Sequence, residues 1–264
     1  MLIRSADGTK LSVQDWGARD GAEILFIHGY RQCHLSFRRQ FACPDLLARF
    51  RMVSFDQRGH GWSGCSGTTK SYLDGENFAA DVHAVMEATS LRRPTLVGWS
   101  YGGPVACDYI AAHGTGRVAG LHLVGTLLAS RGAEGTEANG SRSLDETLAR
   151  SIAYAHSCFA TPPSPEAFAL IASYNALCSP VASAALLRRV FDHRALVATL
   201  EIPMLVAHGR RDELIPPARA QKSAALSRHA ELSLYPRSGH SPFFEEAERF
   251  NAELARFVSR ASSQ

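Results

Sequence analysis

Hydrophobic and polar positions follow two rhythms along the chain. Lys10-Leu-Ser-Val-Gln-Asp-Trp16 alternates polar and apolar at every second residue, the period of a half-buried strand, and Gly8 before it marks a hairpin turn. Short continuous apolar runs follow at Ile24 to Ile27, Met52 to Phe55, Thr95 to Val97, Val118 to Val124, Met204 to Ala207 and Leu232 to Tyr235. Runs of this length with β-branched or aromatic members predict strands buried on both faces, hence a mostly parallel sheet. Helical periods lie between them. Phe243, Ala247, Phe250, Leu254 and Phe257 recur every three or four residues, which predicts one apolar stripe on a C-terminal helix. Alternating strand and helix predict an α/β fold with a doubly wound sheet and right-handed crossovers.

One segment breaks the rhythm. From about Leu127 to Thr199 no strand pattern is visible. Ser143-Leu-Asp-Glu146 is instead a capping box opening a helix that bears Leu144, Leu148 and Ile152. Ser164-Pro165-Glu166 places a cap residue before a proline at the first helical position, and Ser179-Pro180 repeats the device. The expectation is a helical cap or lid over residues 127–199, between core segments 1–126 and 200–264, with extra packing helices as the alternative. The Gly-, Ser- and Glu-containing stretch Ala129 to Ser141 reads as a flexible lead-in to that cap.

Composition narrows the class. With 264 residues, 45% of them apolar and 20% charged, the chain buries a large core without metals or disulfides. Its longest apolar runs fall far short of a membrane span, and the N-terminus shows no basic-then-apolar signal, so a cytoplasmic location is expected. The net charge of +3 comes without a basic tract: Arg38-Arg39, Arg92-Arg93 and Arg188-Arg189 are isolated pairs that read as solvated faces. Neither nucleic acid nor a membrane is an expected partner. The six cysteines, Cys33, Cys43, Cys65, Cys107, Cys158 and Cys178, form no CxxC pair and read as small, reduced, buried or half-buried residues. The eleven histidines show no HxH or HxxxH spacing, so no metal is expected.

The chemistry concentrates in Leu96-Val97-Gly98-Trp99-Ser100-Tyr101-Gly102-Gly103. This G-x-S-x-G follows a buried strand and precedes a helical pattern from Tyr101 to His113. Such a sharp strand-to-helix turn lifts the serine hydroxyl above the sheet edge, and side chains at the glycine positions would collide with neighbouring backbone. The helix N-terminus behind it favours developing negative charge.

A serine hydroxyl needs a base and an orienting acid, expected in the chain order serine, acid, histidine. His240, in Ser238-Gly239-His240-Ser241-Pro242, lies just beyond the last strand run. Asp212 follows the run Met204 to Ala207; Glu213 beside it and Asp192 are rival acids, while the turn after Val124 offers only Gly125 and Thr126. His28, His60, His122 and His208 take structural readings. An oxyanion hole needs two backbone N–H groups. Tyr101, after the nucleophile, and Tyr30, in the His28-Gly29-Tyr30 turn, are the expected donors.

Together, His28-Gly29, Asp56-Gln57-Arg58-Gly59-His60-Gly61-Trp62-Ser63, Gly98-Trp99-Ser100-Tyr101-Gly102, Asp212 and Gly239-His240 resemble the α/β-hydrolase fold superfamily over about residues 2–260. The resemblance implies a sheet of about eight strands, a triad at Ser100, His240 and Asp212, and oxyanion donors at Tyr30 and Tyr101. It also implies an architectural role for Asp56 to Ser63, as a glycine turn pinned by Asp56 and Arg58. Small capped serine esterases and cofactor-free haloperoxidase-like perhydrolases look most similar.

The reading is a serine hydrolase of small, neutral-to-apolar carboxylic esters, thioesters or lactones, needing no cofactor. Trp99, Tyr154, Phe159, Tyr174 and Phe243 are candidate pocket residues beside Tyr30 and Tyr101, with core packing as the alternative. The same triad supports perhydrolysis, cofactor-free oxygen chemistry, or C–C hydrolysis with Arg188 or Arg189 gripping a carboxylate. A slow-turnover ligand receptor on this fold is the reading from another class.

Overall fold

The computed structural model describes residues 1–133 and 144–264. The chain opens with β1 (Leu2–Arg4), β2 (Lys10–Gly17) and β3 (Ala22–Ile27), then the short helices α1 (Arg38–Phe41) and α2 (Pro44–Arg49) before β4 (Phe50–Phe55). Helix α3 (Gly75–Thr89) leads to β5 (Thr95–Trp99), α4 (Gly102–His113) and β6 (Gly120–Val124). Next come β7 (Ala129–Ser130), α5 (Leu144–Ser157), α6 (Pro165–Ala176), α7 (Pro180–Arg188) and β8 (Phe191–Asp192). The chain closes with α8 (Arg194–Thr199), β9 (Met204–Gly209), α9 (Ala218–Ala224), β10 (Ala230–Tyr235), α10 (Pro242–Glu245) and α11 (Ala247–Ser262).

Eight strands form one sheet in the order β1-β2-β4-β3-β5-β6-β9-β10. From β4 to β10 every neighbouring pair is parallel, whereas β1 and β2 join antiparallel. β4, β5, β6 and β9 have no exposed position, as their continuous apolar runs predict, but the run Leu232 to Tyr235 differs: Leu232 is exposed, because β10 is the edge strand of the sheet and has a neighbour on one side only. Apolar side chains fill both sides. Leu25, Ile27, Leu96, Leu121 and Leu123 pack against α3 and α4; Ile24, Phe26, Val97 and Trp99 pack against α11. Each such aliphatic or aromatic side chain contributes roughly 1.5–3 kcal/mol by leaving water.

The strand order reverses at β3. From β3 the chain steps outward to β4 and then returns to the other side as β5, with Ile27 level with Gly98. Loops leaving adjacent strands at such a reversal diverge and open a crevice at their carboxyl ends. That crevice receives the His28 turn from β3 and Ser100 from β5.

Several local expectations differ from the structure. The stripe from Phe243 to Phe257 spans two helices, because α10 stops at Glu245 and α11 begins at Ala247. Between β6 and β9, Ala129–Ser130 and Phe191–Asp192 pair antiparallel, tying the two ends of the helical insertion together. Two residues per strand are too few to leave a periodic signal. Ser164 and Ser179 accept from Ala167 N–H and Ala182 N–H and so cap α6 and α7. Ser143 lies outside the described residues, as does most of the Ala129 to Ser141 stretch. On α5 the buried face is Ser151 and Ala155, continued by Cys158 just past its end, while Leu148 and Ile152 are exposed. Cys65 is exposed too, unlike Cys33, Cys107, Cys158 and Cys178. Among the described residues no single helix is long and apolar enough to cross a membrane.

Candidate active site

Ser100 follows the last residue of β5 with φ at +51°, in the left-handed region that costs a non-glycine residue about 1–2 kcal/mol. The surroundings hold it there. Its N–H donates to Val124 O at 2.8 Å, and its carbonyl accepts from Gly103 N–H at 3.1 Å and from the Thr126 hydroxyl at 2.5 Å. The turn is too tight for side chains on either side. A Cβ on Gly98 would lie 2.6 Å from Gly102 O, and one on Gly102 would lie 2.1 Å from Ile27 O. The G-x-S-x-G spacing is therefore a packing requirement.

The histidine and the acid arrive from the loops after β10 and β9. The His240 Nδ1–H donates to Asp212 Oδ2 at 2.7 Å, so that in the neutral ring Nε2 is the nitrogen that carries the free lone pair. The other oxygen, Oδ1, accepts from Leu214 N–H and Ile215 N–H, both at 2.9 Å, and pins the loop that carries the acid. Burial alone would raise the Asp212 carboxyl's pKa, but hydrogen bonds from His208 and His240, the His240 charge and the Ile215 N–H hold it well below the ordinary carboxylate range. Asp212 is thus an anion at neutral pH. The rival Asp192 is exposed and paired with Arg194.

Neither Tyr30 N–H nor Tyr101 N–H donates to an acceptor among the described residues. Tyr101 is the N-terminal cap position of α4, and both tyrosines line the same cavity as Ser100 and His240. The Asp56 to Ser63 loop grips the turn bearing Tyr30. Gln57 N–H donates to His28 Nε2 at 2.9 Å, and its side-chain amide donates to His28 O. Arg31 N–H donates to His60 Nε2 at 3.2 Å. Each ring uses Nε2 as acceptor and donates from Nδ1, His28 to Gly29 O and His60 to Arg58 O. Both are therefore neutral, and burial pushes their pKa values down to about 4 and about 3.

The cavity over Ser100 has a volume of about 200 Å³. Apart from the serine and histidine its walls are mostly aliphatic and aromatic, with Leu186, Leu187 and Tyr154 reaching in from the insertion and Ile215 from the acid loop. A larger groove of about 800 Å³ lies at Trp16, Arg51 and Ser90, remote from Ser100 and His240.

The sequence profile of the Alpha/beta hydrolase family matches residues 24–253. The chain belongs to that family. An esterase from Rhodococcus sp. is 32% identical, with a TM-score of 0.87 over 98% of both chains. A non-heme chloroperoxidase from Streptomyces lividans is 28% identical over 97% of this chain and 98% of its own. A bifunctional esterase/perhydrolase from Acinetobacter calcoaceticus is 25% identical over the same shares. This hydrolase is accordingly an enzyme whose relatives carry esterase and haloperoxidase names.

Of the expected pocket aromatics, Tyr154 lines the cavity of this hydrolase and the other four do not. Trp99 is buried and donates its indole N–H to His240 O at 2.8 Å, so it props the histidine loop from beneath. Phe243 packs between Phe37 and Trp99, with ring centroids 5.0 and 4.7 Å away. Phe159 meets Phe244 edge-on, and Tyr174 is buried in the core on the α11 side. Arg189 is no solvated residue either: it is 3% exposed and paired with Asp108 at 2.6 Å, with Tyr101 and Phe191 around its guanidinium.

Other supporting residues have no chemical motif of their own in the sequence. His208 lies 3.1 Å from Asp212 Oδ2. Glu245 Oε2 accepts from Gly239 N–H, and its Oε1 accepts from Ala160 and Thr161 N–H, joining the histidine loop to the insertion. Gln57 and His60 sat within a recognised motif, but their partners are in another loop. Cys33, His34 and Asp56 bring three potential ligand atoms within 4.8 Å of one another. Asp56 already accepts from His34 N–H, the His34 ring and Trp62 N–H, and burial pushes the Cys33 thiol up.

Proposed function

We propose that this protein is a serine hydrolase that cleaves small, neutral-to-apolar carboxylic esters through an acyl-enzyme on Ser100. The reading rests on one observation above the others. A serine held in a left-handed turn shares an apolar cavity with a histidine whose far nitrogen is bonded to a buried aspartate.

In this reading His240 Nε2 takes the Ser100 proton as the hydroxyl attacks the ester carbonyl. Asp212 holds the Nδ1–H tautomer and stabilises the imidazolium. The N–H groups of Tyr30 and Tyr101 donate to the oxyanion of the tetrahedral intermediate; losing one such donor typically costs about 2.7–4 kcal/mol. His240 then returns the proton to the departing alcohol. Water, activated by the same histidine, releases the acid and restores Ser100. The helical insertion acts as a cap that supplies the wall opposite the serine, through Tyr154, Leu186 and Leu187.

Substrate size follows from volume. A cavity near 200 Å³ is below the roughly 300–1,000 Å³ of drug-sized sites, so short acyl groups fit. Initial rates on p-nitrophenyl acetate, butyrate and octanoate, with Ser100→Ala as control, test the proposal. Acetate and butyrate should exceed octanoate, and the variant should be inactive. Hydrolysis that survives in Ser100→Ala overturns the nucleophile assignment. The names of the chloroperoxidase and perhydrolase relatives favour a second reaction on the same acyl-enzyme, with hydrogen peroxide replacing water and a peracid leaving.

A further inference from the structure

Among the described residues four arginine side chains are nearly withdrawn from solvent, and three of them have carboxylate partners. Arg51 pairs with Asp15, Arg58 with Asp7 and Asp81, and Arg189 with Asp108. Arg31, 8% exposed, pairs with no carboxylate among the described residues, and its Nε has no partner. Its backbone is also left-handed, with φ at +59°. A buried cation with no carboxylate partner among the described residues and a left-handed backbone both oppose folding. Their retention next to Tyr30 calls for a role that stability does not supply.

The side-chain contacts specify that role. Arg31 Nη2 donates to Ser151 Oγ on α5, and Nη1 donates to Ser183 Oγ on α7 at 3.1 Å. Ser151 gives its own proton to Thr147 O, so its oxygen is free to accept. The Tyr30 hydroxyl meets the same Ser183 oxygen at 2.5 Å. Ser179 N–H donates to Gly59 O at 2.8 Å, seating α7 on the loop whose Gln57 and His60 grip the Tyr30 turn.

We propose that Arg31 is a positioning residue: by bridging Ser151 and Ser183 it ties helices α5 and α7 to the turn that presents the Tyr30 N–H, so the seat of the insertion sets the placement of that donor. The proposal rests on the serine-hydrolase reading. Small misplacements in such sites are expensive, on the order of 100-fold in rate for about 1 Å.

Arg31→Met, Arg31→Lys and the double variant Ser151→Ala/Ser183→Ala test it with p-nitrophenyl acetate and with hydrogen exchange of the α5 and α7 amides. All three should lower kcat by about tenfold or more while KM stays within about twofold, because the donor acts in the transition state. Exchange in α5 and α7 should accelerate, and Arg31→Met should melt no lower than the wild type. Unchanged kcat per folded molecule, a loss confined to KM, or unaltered exchange overturns the proposal. So does recovery of kcat by lysine, since one ammonium keeps the charge but cannot span both serines. If Arg31→Met fails to fold, Ser151→Ala alone, which leaves the Tyr30–Ser183 contact in place, still decides: lower kcat and faster α5 exchange support the tie, and the absence of either overturns it. A wild type that hydrolyses no ester refutes the serine-hydrolase reading instead, and the exchange measurement then tests the tie alone.

Discussion

Replacing Asp212 by asparagine separates holding a loop from holding a tautomer. In the native protein Oδ1 takes the Leu214 and Ile215 N–H groups, while Oδ2 takes His240 Nδ1–H and faces His208 Nε2. Asparagine has one oxygen, and two backbone donors at 2.9 Å claim it. Its NH₂ group then points at His240 Nδ1. That nitrogen must become the acceptor, which moves the imidazole proton to Nε2 and removes the base facing Ser100. His208 keeps its bond to Ile215 O at 2.8 Å, so the loop retains its other anchor. A wrong-tautomer lesion of this kind costs about 10⁴-fold in kcat, equivalent to about 5.5 kcal/mol at 1.36 kcal/mol per tenfold. The assay is kcat on p-nitrophenyl butyrate for wild type and Asp212→Asn, with thermal melts of both. The expected result is a collapse in kcat with little change in melting temperature. A fall smaller than tenfold would refute the triad assignment, and a large melting loss would refute the account of the loop.

Three further outcomes follow from burial and strain. Ser100→Gly relieves the left-handed φ of +51° and should melt about 2–8 °C above the equally inactive Ser100→Ala; equal melting temperatures would mean that the turn carries no strain. His122 is fully buried in β6 against Phe250, with neither ring nitrogen hydrogen-bonded, so His122→Leu should add about 1–3 kcal/mol in urea melts and leave hydrolysis unchanged. Burial holds His28 at a pKa of about 4, and His60 and His122 at about 3, all below the unfolded value of 6.5. Each therefore binds a proton on unfolding below pH 6.5. Its stabilising contribution is complete above that pH and is lost as pH falls toward 4 and then 3, at up to about 1.4 kcal/mol per pH unit for each histidine. Urea melts at pH 7.5, 6 and 5 should show the decline, shallower in His122→Leu; a flat profile would contradict neutral buried rings.

The fold was legible where the physics is local. Buried strands need unbroken apolar runs, so β3 to β6 and β9 stood out, whereas the edge strand β10 leaves Leu232 exposed; the serine caps of α6 and α7 were readable from Ser-Pro pairs. Two-residue strands β7 and β8 carry no period, and the break between α10 and α11 is hidden because Phe243 stays in step with the helical spacing. The aromatics of the site failed for another reason. Trp99, Phe159, Tyr174 and Phe243 are apolar whether they face a cavity or a core, and only packing separates the two.

By itself the sequence determined the strand-turn-helix around Ser100, because Gly98 answers to the backbone of Gly102 and Gly103 only a few residues away, whereas the Ile27 carbonyl that excludes a side chain at Gly102 is brought there by the sheet. It also offered Ser100, Asp212 and His240 in the chain order that the proposed triad requires. The tertiary structure alone decided which side chains surround the proposed site. Gln57 and His60 grip a turn some thirty residues earlier, Glu245 joins the histidine loop to the insertion, and Arg31 reaches serines 120 and 152 residues away. Hydrogen-bond partners so distant in sequence share no period and no spacing. Their pairing exists only once the sheet has set its strand order and brought the loops to one edge.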